Sequence, residues 1–216
     1  MNEDAERLIR QICLETRLVL DAFCGRDPRC SALLERLRTF RFDADEMRAV
    51  HGSIPAHEEV LRSAVAFVQG PKFGGLKTAL DAGLDSLQWR VDDGGFYASG
   101  ADVGAGYKSG NMHSLLIGPH NAPIPAEDFL LGFFLLAPHR LYRDHRHLAP
   151  ELYVPLTGPS GWRFDRGPWE ARAAGEALYN RPGVVHATRV GATPFLALFV
   201  WEKDIGSPCE VVPAED

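Results

Sequence analysis

The hydrophobic rhythm of this chain changes near Gln88, and that change limits its fold more than any other feature. Before it, Ile9, Ile12, Cys13, Thr16, Leu20 and Phe23 recur at helical spacing, and Cys24-Gly25 offers a stop. The same period predicts helices from Ser31 to about Phe40, from Pro55 to Val68 and from Leu76 to Leu87, with Gly70-Pro71 ending the second of these. After Gln88, short β-rich runs are separated by Gly, Pro and Asp, as strands joined by turns require. Strands are expected at Leu87–Val91, Met112–Ile117, Leu130–Ala137, Leu152–Leu156, Gly161–Arg166, Ala177–Asn180, Val184–Arg189 and Phe195–Glu202. Many short antiparallel strands close into a sandwich or barrel. The expected organisation is therefore a helical extension over residues 1–85 and a mainly β barrel over 86–216.

Apolar helical stripes usually face a core; a homodimer contact is the functional alternative for this extension. Between the first two strands, Asp92–Gly110 is rich in Gly and Ser and reads either as a lid over a site or as a plain surface connection. The C-terminal SPCEVVPAED reads as a partly ordered tail. There is no internal repeat. The four cysteines form no CxxC pair, so reduced thiols packed in helices are expected.

The net charge of −6 argues against nucleic acid or an anionic membrane as partner, because both call for a basic face. No apolar run is long enough to cross a bilayer. The N-terminus, MNEDAERLIRQ, lacks an apolar signal core, so a cytoplasmic protein is expected.

The chemistry points to two segments, YRDHRHLAPELYVPLTG (Tyr142 to Gly158) and NRPGVVHATRV (Asn180 to Val190). His145 and His147, at i and i+2, share a face of a β-strand. Glu151 follows after a Leu-Ala-Pro kink, and His186 arrives after a Pro-Gly turn. Three imidazoles and a carboxylate suit one divalent transition metal, with Fe, Zn, Mn, Co and Ni all compatible. His51, His57, His113, His120 and His139 have no ligand-spaced partner and are expected to be surface or ordinary structure. Tyr153 lies two positions after Glu151 and so faces the same side of a strand. A phenol beside a divalent cation has its pKa lowered from about 10 and can serve as a general base. The competing reading of Tyr153 is a ring that fills the barrel and bonds its hydroxyl to a partner.

The order HxH, Glu, and a later His after Pro-Gly resembles the two motifs of the cupin superfamily, a jelly-roll (double-stranded β-helix) barrel. The resemblance implies His145, His147, Glu151 and His186 as metal ligands. The first motif closes on Gly158; the second is partial, because its usual downstream asparagine is absent. The string YxxHxHxxxExYxxLxG, together with GPWEARAAGEALYNRPGVVHATR (Gly167 to Arg189), is similar to the cupin-type dimethylsulfoniopropionate (DMSP) lyases, most closely the DddQ group. That similarity runs from about Phe129 to Glu202 and rests before Gln88 only on helical character.

It implies cleavage of DMSP to dimethyl sulfide and acrylate by β-elimination, with Tyr153 as base and Tyr142 as an assisting hydroxyl. The substrate is then a small zwitterion, whose sulfonium prefers aromatic faces by about 0.5–2 kcal/mol per contact. Trp162, Trp169, Tyr179, Phe133 and Trp201 are the aromatic candidates. Three other functions compete. A cupin dioxygenase uses a similar shell with Fe(II). A sugar-type isomerase calls for extra polar residues in the barrel. A non-catalytic small-molecule-binding cupin would use the helices for interaction.

Overall fold

The computed structural model describes residues 2–43 and 46–213. Four helices come first: α1 (Glu3–Cys24), α2 (Ser31–Thr39), α3 (Glu58–Phe67) and α4 (Gly74–Gly83). Asn2 caps α1 by accepting the Ala5 N–H at 2.8 Å, and Glu3, Asp4 and Glu6 complement its positive end. α3 starts at Glu58 rather than Pro55, because His57 ahead of it holds a left-handed φ of 52° that no helix continues through. α4 stops at Gly83, and a single 3-10 turn carries the chain to Ser86.

Two sheets follow. The first is ordered β1 (Trp89–Arg90), β2 (Asn111–Gly118), β4 (Phe129–Leu136), β11 (Phe195–Glu202), β6 (Glu151–Pro155), β9 (Leu178–Asn180), with β3 (Ile124–Pro125) added parallel to β2. The second is ordered β12 (Glu210–Val211), β5 (Leu141–Arg146), β10 (His186–Val190), β7 (Ser160–Phe164), β8 (Glu170–Arg172). Between the strands of these two sheets every other pairing is antiparallel. This is the cupin barrel with an N-terminal helical extension.

The first sheet is buried on both faces, and period two decides what each face meets. From β4, Phe129, Leu131, Phe133 and Leu135 join Ile9, Ile12, Leu33, Leu61 and Leu76 in a core shared with the helices. Leu130, Phe134 and Leu136 join Tyr142, Tyr153, Trp162 and Phe195 inside the barrel. The same split places Leu152 and Val154 of β6 under the helices and Tyr153 in the barrel. At about 25 cal/mol per Å² of apolar surface, a strand buried on both faces is strongly held. The continuous apolar run Phe129–Leu136 follows from the helices covering its outer side.

Several elements went unread in the sequence. β3, β8 and β12 are two or three residues long and too short to show a period. The Asp92–Gly110 segment contains a short helix, α5 (Ala105–Lys108). In the C-terminal stretch, Glu210 and Val211 pair with Arg146 and His145, while residues 214–216 lie outside the described residues. All four cysteines are buried and free, but Cys209 precedes β12 and packs in the barrel rather than in a helix. Among the described residues no helix is long and apolar enough to cross a membrane.

Candidate metal centre and cavity

The second sheet presents His145 on β5 and His186 on β10, which face each other directly in the strand register. β5 ends at Arg146, so His147 stands one residue past the strand. Each imidazole has its Nδ1 tied to a backbone carbonyl: His145 to Arg143 at 2.8 Å, His147 to Ala149 at 2.8 Å and His186 to Val184 at 3.0 Å. A carbonyl only accepts, so each Nδ1 carries a proton and Nε2 is the nitrogen left to ligate a metal, the one on His147 once its proton, shared with Glu151, has left. The ligand atoms of the three buried histidines lie within 4.8 Å of one another. His186 Nε2 is buried with no hydrogen-bond partner. Neutral imidazoles with convergent lone pairs are what a divalent cation requires, and this triad can hold one.

Glu151 comes from β6 on the opposite sheet. Its Oε2 lies 3.2 Å from His147 Nε2 and 3.3 Å from His186 Nε2. Asn180 Nδ2 donates to Oε2 at 2.8 Å, and Trp201 Nε1 donates to Oε1 at 2.6 Å. Burial disfavours charge on Glu151, but His147 and His186 outweigh it and hold the carboxyl well below its usual range. Burial depresses His145 well below 6.5 and His186 disfavours its proton further, so His145 is neutral. For His147, burial opposes the charged form, yet the Glu151 carboxylate prevails and raises its pKa.

Tyr153 projects from β6 on the same side as Glu151, and both line one small cavity of about 40 Å³. Asp92, Phe96, Tyr107, His113, Phe134, Tyr142, Phe199, Trp201 and Cys209 complete its wall. Burial first, then the Glu151 charge, pushes the Tyr153 phenol well above 10. Tyr142 stacks on His145 at 4.1 Å and on Tyr107 at 4.4 Å, and its hydroxyl accepts a short hydrogen bond from Tyr97.

The five predicted aromatics are dispersed. Trp201 is in the cavity wall, with its ring 4.5 Å from that of His147. Trp162 backs Tyr153 at 5.2 Å, its Nε1 donating to Ser160 at 3.0 Å. Phe133 faces the helices beside Trp89, and it is Phe134, one position on, that reaches the cavity. Trp169 lies between the Arg163 and Arg189 guanidiniums, 4.8 and 4.6 Å from its ring, and Tyr179 packs toward the helical core beside Arg29. Neither lines the cavity.

The Asp92–Gly110 segment, expected as a lid or a plain connection, contributes residues to the cavity. Asp92, Phe96 and Tyr107 line the cavity, Tyr97 packs in the barrel cluster beside them, and Tyr97 pairs with Cys209 through an isolated bridge. Their only advance signal was aromatic residues embedded in a Gly-rich loop. His113, read as ordinary structure, has a buried Nδ1 without a partner. Asp92, Phe96 and His113 also border an outer groove of about 840 Å³.

The comparisons with known proteins agree with this architecture. The chain is 28% identical over 134 residues to the dimethylsulfoniopropionate lyase DddQ of Ruegeria pomeroyi, covering 62% of this chain and 63% of that protein. It is 35% identical over 85 residues to the dimethylsulfoniopropionate lyase DddW of the same organism, covering 39% of this chain and 53% of that one. The chain thus spans less than two thirds of these relatives' lengths in the aligned regions. The crystal structure of DMSP lyase DddQ from Ruegeria pomeroyi superposes with a TM-score of 0.71 over 100% of both chains at 19% identity, which speaks to the fold. The model of the dimethylsulfoniopropionate lyase family matches residues 29–197, most of the chain, and the protein therefore belongs to that family.

Proposed function

We propose that this protein is a metal-dependent carbon–sulfur lyase that cleaves DMSP to dimethyl sulfide and acrylate by β-elimination. The observation that carries the reading is the convergence of the three histidine ligand atoms beside Glu151, which itself lines the cavity together with Tyr153. His145, His147, His186 and Glu151 would hold a divalent metal, which supplies Lewis-acid stabilisation of the negative charge that builds on the substrate carboxylate.

The protein's own groups do the rest. Tyr153 takes the proton from the carbon next to the carboxylate. The C–H electron pair becomes the C=C bond of acrylate, and the C–S pair leaves with sulfur as a neutral thioether. No general acid is needed for that departure. Tyr153 is a poor base while its phenol stays protonated, as burial and Glu151 favour; a neighbouring cation reverses that preference. Tyr142, held by Tyr97 and stacked on His145, fixes one side of the site. The Asp92–Gly110 segment keeps water from the carbanion-like transition state.

Proton NMR of DMSP incubated with metal-loaded protein tests the proposal. Vinyl resonances of acrylate that vanish on chelation are expected. Oxygen consumption without acrylate would overturn it in favour of oxidative iron chemistry.

A further inference from the structure

The cavity holds a second buried acid, and among the described residues no cation accompanies it. Asp92 is 4% exposed. Its Oδ1 accepts the Gly94 and Gly95 N–H groups at 2.9 and 2.8 Å, and its Oδ2 accepts the Tyr107 hydroxyl at 2.7 Å. Its backbone is clamped by Asn111, whose Oδ1 accepts the Asp92 N–H and whose Nδ2 donates to the Asp92 carbonyl, both at 2.8 Å. These are neutral donors. Among the described residues no Lys, Arg or His nitrogen lies within 4.0 Å of the carboxylate. His113 is the nearest candidate cation in the wall, and burial keeps its pKa below 6.5. Arg90 is turned to Asn121.

A buried carboxylate without a counter-charge is costly, and such groups are normally paired or coordinate a cation. Asp92 shares its cavity with the rings of Phe96, Phe199 and Trp201 and with Glu151 of the metal centre. An aromatic wall backed by a negative charge favours a compact, weakly hydrated cation. We propose that Asp92 is the counter-charge for the cationic end of the substrate, making it the residue that selects a zwitterion over a neutral-tailed acid of the same shape. This rests on the proposed lyase reading, in which the substrate carboxylate lies at the metal and its sulfonium at the other side of the cavity.

Two unreactive probes of equal shape test it without turnover. N,N-dimethyl-β-alanine carries a protonated amine where 4-methylpentanoate carries a CH group; the two otherwise match DMSP. Calorimetry on metal-loaded wild type is expected to give the ammonium probe a Kd at least about tenfold lower. Asp92→Asn, which keeps the shape and removes the charge, is expected to bring the two Kd values within about threefold. Tyr107→Phe removes one donor from the carboxylate while leaving its charge, and the preference should hold or grow. Equal binding of the probes to wild type, an unchanged preference in Asp92→Asn, or a preference lost in Tyr107→Phe would each overturn the charge assignment. Failure of both probes to bind would overturn it together with the metal reading, which separates the two.

Discussion

Trp201 and Glu151 face each other across the β11–β6 ladder, and the indole Nε1 donates to Glu151 Oε1 at 2.6 Å. The same indole ring lies 4.5 Å from that of His147. One side chain thus orients the carboxylate and covers a histidine of the triad. Outer hydrogen bonds of this kind typically account for 10–100-fold in metal affinity. Trp201→Phe keeps the packing and loses the donor. It should weaken metal binding by about tenfold or more while thermal stability changes little, as read by competition with a chromophoric chelator.

Tyr153→Phe should retain the metal and the fold and lose turnover by about 10²–10⁴-fold, the usual contribution of general acid–base catalysis. Tyr142→Phe should cost less, because Tyr142 hydrogen-bonds Tyr97 and stacks on His145 rather than facing Glu151. Steady-state kinetics with metal content measured on the same samples checks both. Near-normal turnover by Tyr153→Phe would remove it as the base.

The phenols give a pH prediction. All five tyrosines have pKa values raised above 10, chiefly by burial, with Tyr97, Tyr107, Tyr142 and Tyr153 raised well above it. In the unfolded chain they ionise near 10. Folding stability is therefore fully present below about pH 10 and falls as pH rises past it, because the unfolded state releases protons that the folded state keeps. In metal-free protein, phenolate absorbance at alkaline pH should appear late and together with loss of the folded circular-dichroism signal. A smooth transition near pH 10 in folded protein would contradict the burial.

Gly132 sits where β4 passes β2, and a Cβ there would collide with the Ser114 carbonyl oxygen. The colliding atom is backbone, so relief needs a strand shift. Gly132→Ala should cost about 1–3 kcal/mol. Thermal melts should show a Tm lowered by roughly 2–4 °C for each kcal/mol.

Much of this was legible because the relevant residues obey a short period. The strand over Phe195–Glu202 was read to its bounds, and the i, i+2 relation of Glu151 and Tyr153 correctly put both on the cavity side. The same rule says nothing about Phe133, which faces the helices. Its strand is apolar on both faces, so nothing in the composition of Phe129–Leu136 says which parity looks into the barrel. For Trp169 no count from the ligands survives the turn before it, and its ring lies against two arginines. The contribution of Asp92, Phe96, Tyr97 and Tyr107 was hidden because a loop has no period at all. Only the folded chain brings Asp92 and Tyr107 into hydrogen-bonding contact.

Headspace gas chromatography of dimethyl sulfide over purified protein and DMSP, with matched samples of chelated protein and His147→Ala, tests the central claim most directly. The account predicts sustained release from metal-loaded wild type, loss on chelation, recovery on adding metal back, and little release from His147→Ala. Release that persists in the chelated protein and in His147→Ala, or no release from folded, metal-loaded wild type, would contradict it.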